Sequence, residues 1–168
     1  MKVLTVRQPW AWDIVHGGKD VENRSRNVAG RYRGPLAIHA GLRADREALR
    51  DLPRLHPSGI PRVFRYGAII GGVYLRSVHH HSECASEPNG ACSPWALPGF
   101  FHLRLEHPWA LPEAVPFVGA LGLRTIVDPN VLAALGAQNP RSLTESDDSA
   151  TSATRSQTAT SVTPDTYC

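Results

Sequence analysis

Three short stretches concentrate the side chains that could do chemistry. The first is KDVENRSR, residues 19–26. Read as a strand, it places Asp20, Glu22, Arg24 and Arg26 on one face and Val21 on the other, because side chains alternate along an extended chain. With Lys19 at the mouth of that face, an ammonium, a carboxylate and a planar guanidinium fall within one short run. Such a set can hydrogen-bond a base or sugar through Glu22 and hold a phosphate through Arg24. The same pattern also describes an ordinary solvent face with cross-strand charge pairs, and both readings stand at this point. The second stretch is RQPWAW, residues 7–12, which sets a cation, an amide, a proline and two indoles side by side. The third is HHHSECASEPNGAC, residues 79–92, with His79, His80, His81, Cys84 and Cys92 as potential ligands. Zinc favours such nitrogen and sulfur donors. The spacing is irregular, however: there is no CxxC and no second half elsewhere. Adjacent histidines at a strand end also point in opposite directions. The expectation is a polar loop with reduced thiols and neither metal nor cofactor. His79, His81, Cys84 and Cys92 are the candidate ligands should a metal bind.

These side chains need elements to hold them. KVLTV, residues 2–6, alternates and is rich in branched residues, so it reads as a strand. Pro9 suits the first turn of a helix that runs through Ile14 and Val15 to a Gly17-Gly18 cap. Ala11, Ile14 and Val15 share a side of that helix and should face the core. After the strand at residues 19–26, GPLAIHA (34–40) reads as a third strand and residues 42–51 as a surface helix. A proline-rich basic loop follows. AIIGGVYLRSV (68–78) is the strongest strand, and its Gly71-Gly72 pair suggests a bulge or a close backbone approach. A long loop then covers residues 79–99. FFHLRLE (100–106) and VGALGLRTIV (118–127) read as the last strands, and VLAALGA as a terminal helix. These elements predict an α+β domain, a compact and partly closed mixed barrel of five to six strands with two or three helices, over residues 1–138. Residues 139–168 are nearly half Ser and Thr and almost devoid of apolar side chains, which predicts a disordered tail.

The composition bounds the function. The chain has 168 residues and a hydrophobic fraction of 42%, enough for one core. No apolar run is long enough to span a membrane, and MKVLTVRQPW lacks the apolar region of a signal peptide. Cys84, Cys92 and Cys168 then read as reduced cytoplasmic thiols. The excess of Arg over Lys, with many Ala, Gly and Pro, points to a GC-rich bacterial genome. The net charge of +3 is unevenly spread. Residues 1–66 carry 13 Lys/Arg against 6 Asp/Glu, and residues 67–168 carry 5 against 9. A basic half attracts polyanions, although a solvated arginine-rich surface has the same composition. Phosphate-loop, dinucleotide, zincin and nucleophile-elbow motifs are all absent from the sequence.

The order LTVRQPWAW, a helix ending in GGK, then DVENRS and RGPLAIHA, resembles the ASCH domain family. The likeness continues through AIIGGVYL, PWALPGFFHLRL and PFVGALGL, and covers roughly residues 2–127. ASCH domains are PUA-like barrels related to modules that bind RNA or modified bases. The resemblance therefore implies a cleft between the barrel and the N-terminal helix, with Gln8, Pro9, Trp10, Lys19, Glu22, Arg24 and His39 at the matching positions. Trp10 would wall that cleft and offer a stacking surface, or else pack the helix onto the barrel. Trp12 lies on a different side of the helix and reads as rim or packing. Trp95, in SPWALPG, would close the cleft from the long loop. Arg26, Arg31, Arg33 and Arg43 would attract a nucleic-acid backbone. Some ASCH-like proteins are amidohydrolases of an acetylated cytidine, with a Lys, a Thr three residues later and a Glu from a later segment. Lys19 matches that Lys, but position 22 is Glu. A Lys19–Glu22 pair could still activate water, with Glu83, Glu87 and Glu106 as candidates for the later carboxylate. Other ASCH-like proteins have been proposed to act as ribonucleases. Three functions follow: a module binding RNA or a modified nucleoside, a hydrolase of a modified nucleoside, and a non-catalytic interaction scaffold.

Overall fold

The computed structural model describes residues 1–57, 59–84 and 90–137. The Ser/Thr-rich tail and Glu87 lie outside the described residues. The chain runs β1 (Lys2–Gln8), α1 (Trp10–Val15), β2 (Val21–Arg24), β3 (Gly34–Ala44), α2 (Arg46–Leu55), β4 (Ala68–His80), a 3₁₀ turn (His81–Cys84), β5 (Phe101–Pro116), β6 (Leu123–Thr125) and α3 (Pro129–Ala137). The strands form one six-stranded mixed sheet in the order β2-β5-β4-β3-β1-β6. Among the described residues only β1 and β3 are parallel neighbours; the other four pairings are antiparallel. The sheet curls like a barrel without closing. Arg24 of the end strand β2 reaches across and donates to the Thr5 carbonyl of β1 at 2.8 Å.

Alternation along the strands explains two cores. In β1, Leu4 and Val6 join Leu36, Ile38, Val73 and Leu103 beneath α1, whose Ala11, Ile14 and Val15 complete the cluster. Val3 and Ala37 point the other way, where they meet Ile69, Leu111, Ile126 and Leu135 of α3. A period of two residues thus gives the sheet one face for each helix. No helix among the described residues is long and apolar enough to cross a membrane.

Several element boundaries differ from the sequence-based expectation. Residues 42–44 extend β3, and α2 starts only at Arg46, because the Asp45 carboxylate caps it by accepting from the Ala48 amide at 3.1 Å. The helix then runs through Pro53 to Leu55. Strand β5 is far longer than residues 100–106. Its two inner prolines are exposed and lie where the pairing with β4 is irregular, which is where a ladder tolerates proline. The last strand shrinks to Leu123–Thr125, because residues 117–122 leave the ladder and lie over His39 and Thr5. The expected close approach at Gly71-Gly72 is present: a Cβ on Gly71 would stand 2.3 Å from the Trp109 carbonyl, and one on Gly72 2.4 Å from the Trp109 ring.

Candidate functional site

Lys19 leaves α1 by way of Gly18, whose φ of +77° turns the chain into β2. Its side chain is 5% exposed. The ammonium lies 5.2 Å from the centre of the Trp10 ring and 5.0 Å from that of Trp95, and the two indoles meet edge to face at 6.3 Å. A cation held this way is attracted by both ring faces. Glu22 is also buried, and its carboxylate pairs with Arg24 at 2.9 Å. These two residues are two apart on β2 and share a face, as alternation requires. Burial pushes the Lys19 pKa down, and the nearby Glu22, Asp13 and Asp20 carboxylates oppose that shift. Desolvation therefore outweighs three favourable charges at this ammonium.

Each wall of the cluster is braced. Trp10 Nε1 donates to Asp45 Oδ2 at 3.2 Å, so the residue that caps α2 also orients the first indole. Trp95 is tied to β2: its carbonyl accepts from Asn23 Nδ2 at 2.8 Å, and the Asn23 oxygen takes the Leu97 amide at 2.9 Å. Ser93 Oγ accepts from the Trp95 amide at 3.0 Å and donates to Asp20. Asp45, Asn23 and Ser93 were not legible as site residues. Their roles depend on which loop meets which strand, and only the Asp45 capping position carries a local signal.

The other residues singled out in the sequence sit elsewhere. Gln8 is buried at the end of β1. Its oxygen accepts from the Trp12 amide in the first turn of α1, and its nitrogen donates to the Arg65 carbonyl, both at 3.0 Å, so its side chain braces the helix. His39 lies on the opposite sheet face from α1, with Ala37. Its ring nitrogens meet Thr5 Oγ1 at 3.2 Å and the Phe117 carbonyl at 2.9 Å, beside a separate hollow of about 550 Å³. Trp12 packs against His16, His56 and Phe64, in keeping with a packing role. Arg26, Arg31, Arg33 and Arg43 are exposed, and Arg33 donates to the Gly30 and Tyr32 carbonyls.

At the far end of β4 the cysteine–histidine loop does assemble, with one change of membership. Donor atoms of His79, Cys84, Cys92 and His102 all lie within 4.8 Å of one another. His81 is outside this set, because it begins the 3₁₀ turn. His102, in the middle of FFHLRLE, takes its place. The second half missing from the loop is supplied by the neighbouring strand, through a pairing that local spacing does not display.

A family model described as ASCH domain matches residues 4–109. Among solved structures, a crystal structure of a point variant of the ASCH protein from Zymomonas mobilis is similar at 14% identity and a TM-score of 0.50, covering 82% of this chain and 98% of that one. Another crystal structure of ASCH from Zymomonas mobilis is similar at 15% identity and a TM-score of 0.46, covering 81% and 93%. No curated protein sequence matches the chain. At 14% identity the first of these likenesses bears on the fold alone.

Proposed function

The chain belongs to the ASCH domain family, and from that premise we propose that it is a binding module for RNA or a modified nucleoside, held at the Trp10–Lys19–Trp95 cluster. The observation that carries this reading is the buried Lys19 ammonium between two indoles, beside the Glu22–Arg24 pair. Indoles stack on any base, at about 1–3 kcal/mol per base. Lys19 and Arg24 supply donors for a base oxygen, a sugar or a phosphate, and Glu22 supplies the acceptor. Burying charged groups here costs stability, and a polar ligand that completes their hydrogen bonds offsets that cost.

One observation favours a second reading, a hydrolase of a modified nucleoside. Burial depresses the Lys19 pKa, which is how a lysine becomes a general base. One experiment separates the two. The full chain is incubated with a panel of modified nucleosides and short single-stranded RNAs, and melting shifts are read together with ligand masses. Lys19→Ala and Glu22→Gln are run in parallel. A melting shift with an intact ligand, lost in both variants, supports the binding module. A changed ligand mass, lost in the same variants, supports the hydrolase. No shift with any member of the panel would leave the fold as an interaction scaffold and contradict both.

A further inference from the structure

The histidine–cysteine cluster is separate from the Lys19 site. In the antiparallel register His79 of β4 stands directly opposite His102 of β5, so both side chains leave the same face of the sheet. Cys84 ends the 3₁₀ turn that follows β4, and Cys92 lies on the segment that returns to β5. His79 Nε2 is 3.2 Å from Cys84 Sγ. His102 Nδ1 is 3.4 Å from Cys84 Sγ and 3.3 Å from Cys92 Sγ. Four donors, two sulfur and two nitrogen, therefore surround one point. A tetrahedral zinc ion, with Zn–S near 2.3 Å and Zn–N near 2.0–2.1 Å, sets S···N edges of about 3.5 Å and S···S edges of about 3.8 Å. The three S···N spacings, 3.2, 3.4 and 3.3 Å, are close to the S···N edge, and all four donor atoms lie within 4.8 Å of one another.

The His102 tautomer fits a ligand. Its Nε2 lies 2.8 Å from the Leu97 carbonyl, and a carbonyl only accepts, so Nε2 carries the proton. In the neutral ring the lone pair is then on Nδ1, which faces the two sulfurs. A backbone carbonyl that fixes the far nitrogen of a histidine is the usual outer support of a metal-bound imidazole. His102 is fully buried and Cys84 nearly so. Arg104 donates to the Cys92 carbonyl at 2.7 Å, which puts a guanidinium where it can offset thiolate charge.

We propose that His79, Cys84, Cys92 and His102 bind one zinc ion in a closed Cys₂His₂ site. Thiolate and imidazole donors select zinc over the hard cations, which prefer oxygen. With all four positions taken by the protein, the ion is structural and leaves none open for substrate. It fastens the segment that carries Ser93, Trp95 and Leu97 to the paired strands β4 and β5. The same segment forms one wall of the Lys19 cluster. The metal site stands whether or not that cluster binds a nucleoside.

The test uses the untagged full chain, purified without chelator and analysed for metal by mass spectrometry. It is then stripped and titrated with cobalt(II). The expected results are one zinc per chain and a cobalt spectrum with strong tetrahedral d–d bands and thiolate-to-cobalt charge transfer, erased by one equivalent of zinc. Cys92→Ser should weaken zinc binding by more than the ~10–100-fold that outer-shell partners control, and His81→Ala should leave it unchanged. If Cys92→Ser does not fold, the wild-type cobalt spectrum decides. Substoichiometric zinc after refolding with zinc, a cobalt spectrum without thiolate charge transfer, or a Cys84–Cys92 disulfide in protein from a reducing cytosol would overturn the proposal. An equal loss in His81→Ala would do the same.

Discussion

Lys19 is the residue on which the functional reading turns, and its burial has a measurable consequence. Its folded pKa lies below the ordinary value of 10.5, because burial disfavours the ammonium more than Glu22, Asp13 and Asp20 favour it. The unfolded chain therefore binds that proton more tightly. Between the lowered folded value and 10.5, unfolding takes up a proton, so this group makes stability rise with pH across that window. The stability of the wild type relative to Lys19→Met should climb as pH rises through that range, in denaturant titrations at a series of pH values. A flat difference would mean that Lys19 is solvated. At the same scale, Trp95→Ala should weaken nucleoside or RNA binding by about 1–3 kcal/mol in equilibrium titrations, the worth of one stacked base. The set of Lys19, Glu22 and Arg24 was legible because Glu22 and Arg24 alternate on one short strand and Lys19 lies just before it. His102 was not legible as a partner of the loop cysteines. Its neighbour His79 is fixed by the register between two strands that are distant in sequence, and no local pattern encodes that register.

At the scale of elements, Asp45 joins two structures. It caps α2 and holds the Trp10 indole. Asp45→Ala should cost about 0.5–2 kcal/mol in urea unfolding, as loss of a helix cap does. Hydrogen bonding, first from the Ala48 amide, lowers the Asp45 pKa below 3.8. The cap should therefore hold above pH 3.8 and be lost as pH falls through the lower folded value. The glycine pair of β4 gives a sharper contrast. A Cβ at Gly71 meets a backbone carbonyl, which cannot step aside, whereas a Cβ at Gly72 meets the Trp109 side chain, which can. Gly71→Ala should lower Tm more than Gly72→Ala, with overpacking costs of about 1–3 kcal/mol for either. The glycine pair announced this close approach in the sequence. The length of β5 is not visible locally, because proline cannot donate to a ladder, and only the irregular pairing with β4 shows how the strand carries Pro108 and Pro112. Helix α2 was displaced by four residues from its expected start, because the charged surface pattern of residues 42–51 continues without a break across the Asp45 cap.

For the whole molecule, two features of the chain meet. The sheet has two buried faces: Trp10 of the Lys19 cluster packs against the core on the α1 side, while His39 lies on the other face with Phe117. This sidedness follows from alternation along β3; motif positions that match side by side, such as Trp10 and His39, do not state which way a side chain points. The charge asymmetry is the second feature: +7 over residues 1–66 and −4 over residues 67–168. If single-stranded RNA is the ligand, the logarithm of its affinity should fall linearly with the logarithm of salt concentration, with a slope of about −0.7 per phosphate contacted. A free nucleoside, which has no phosphate, should show almost no such slope. The chain also carries its own reporters for the most direct test, because its 4 tryptophans fall into two groups. Trp10 and Trp95 flank Lys19, Trp12 packs against His56 and Phe64, and Trp109 lies over Gly71 and Gly72. The decisive measurement is a proton–nitrogen correlation spectrum of the indole N–H groups during titration with modified nucleosides and short single-stranded RNA. The account predicts that the Trp10 and Trp95 signals move and saturate together while those of Trp12 and Trp109 stay in place. Movement of Trp12 or Trp109 alone, or no movement with any ligand, would contradict it.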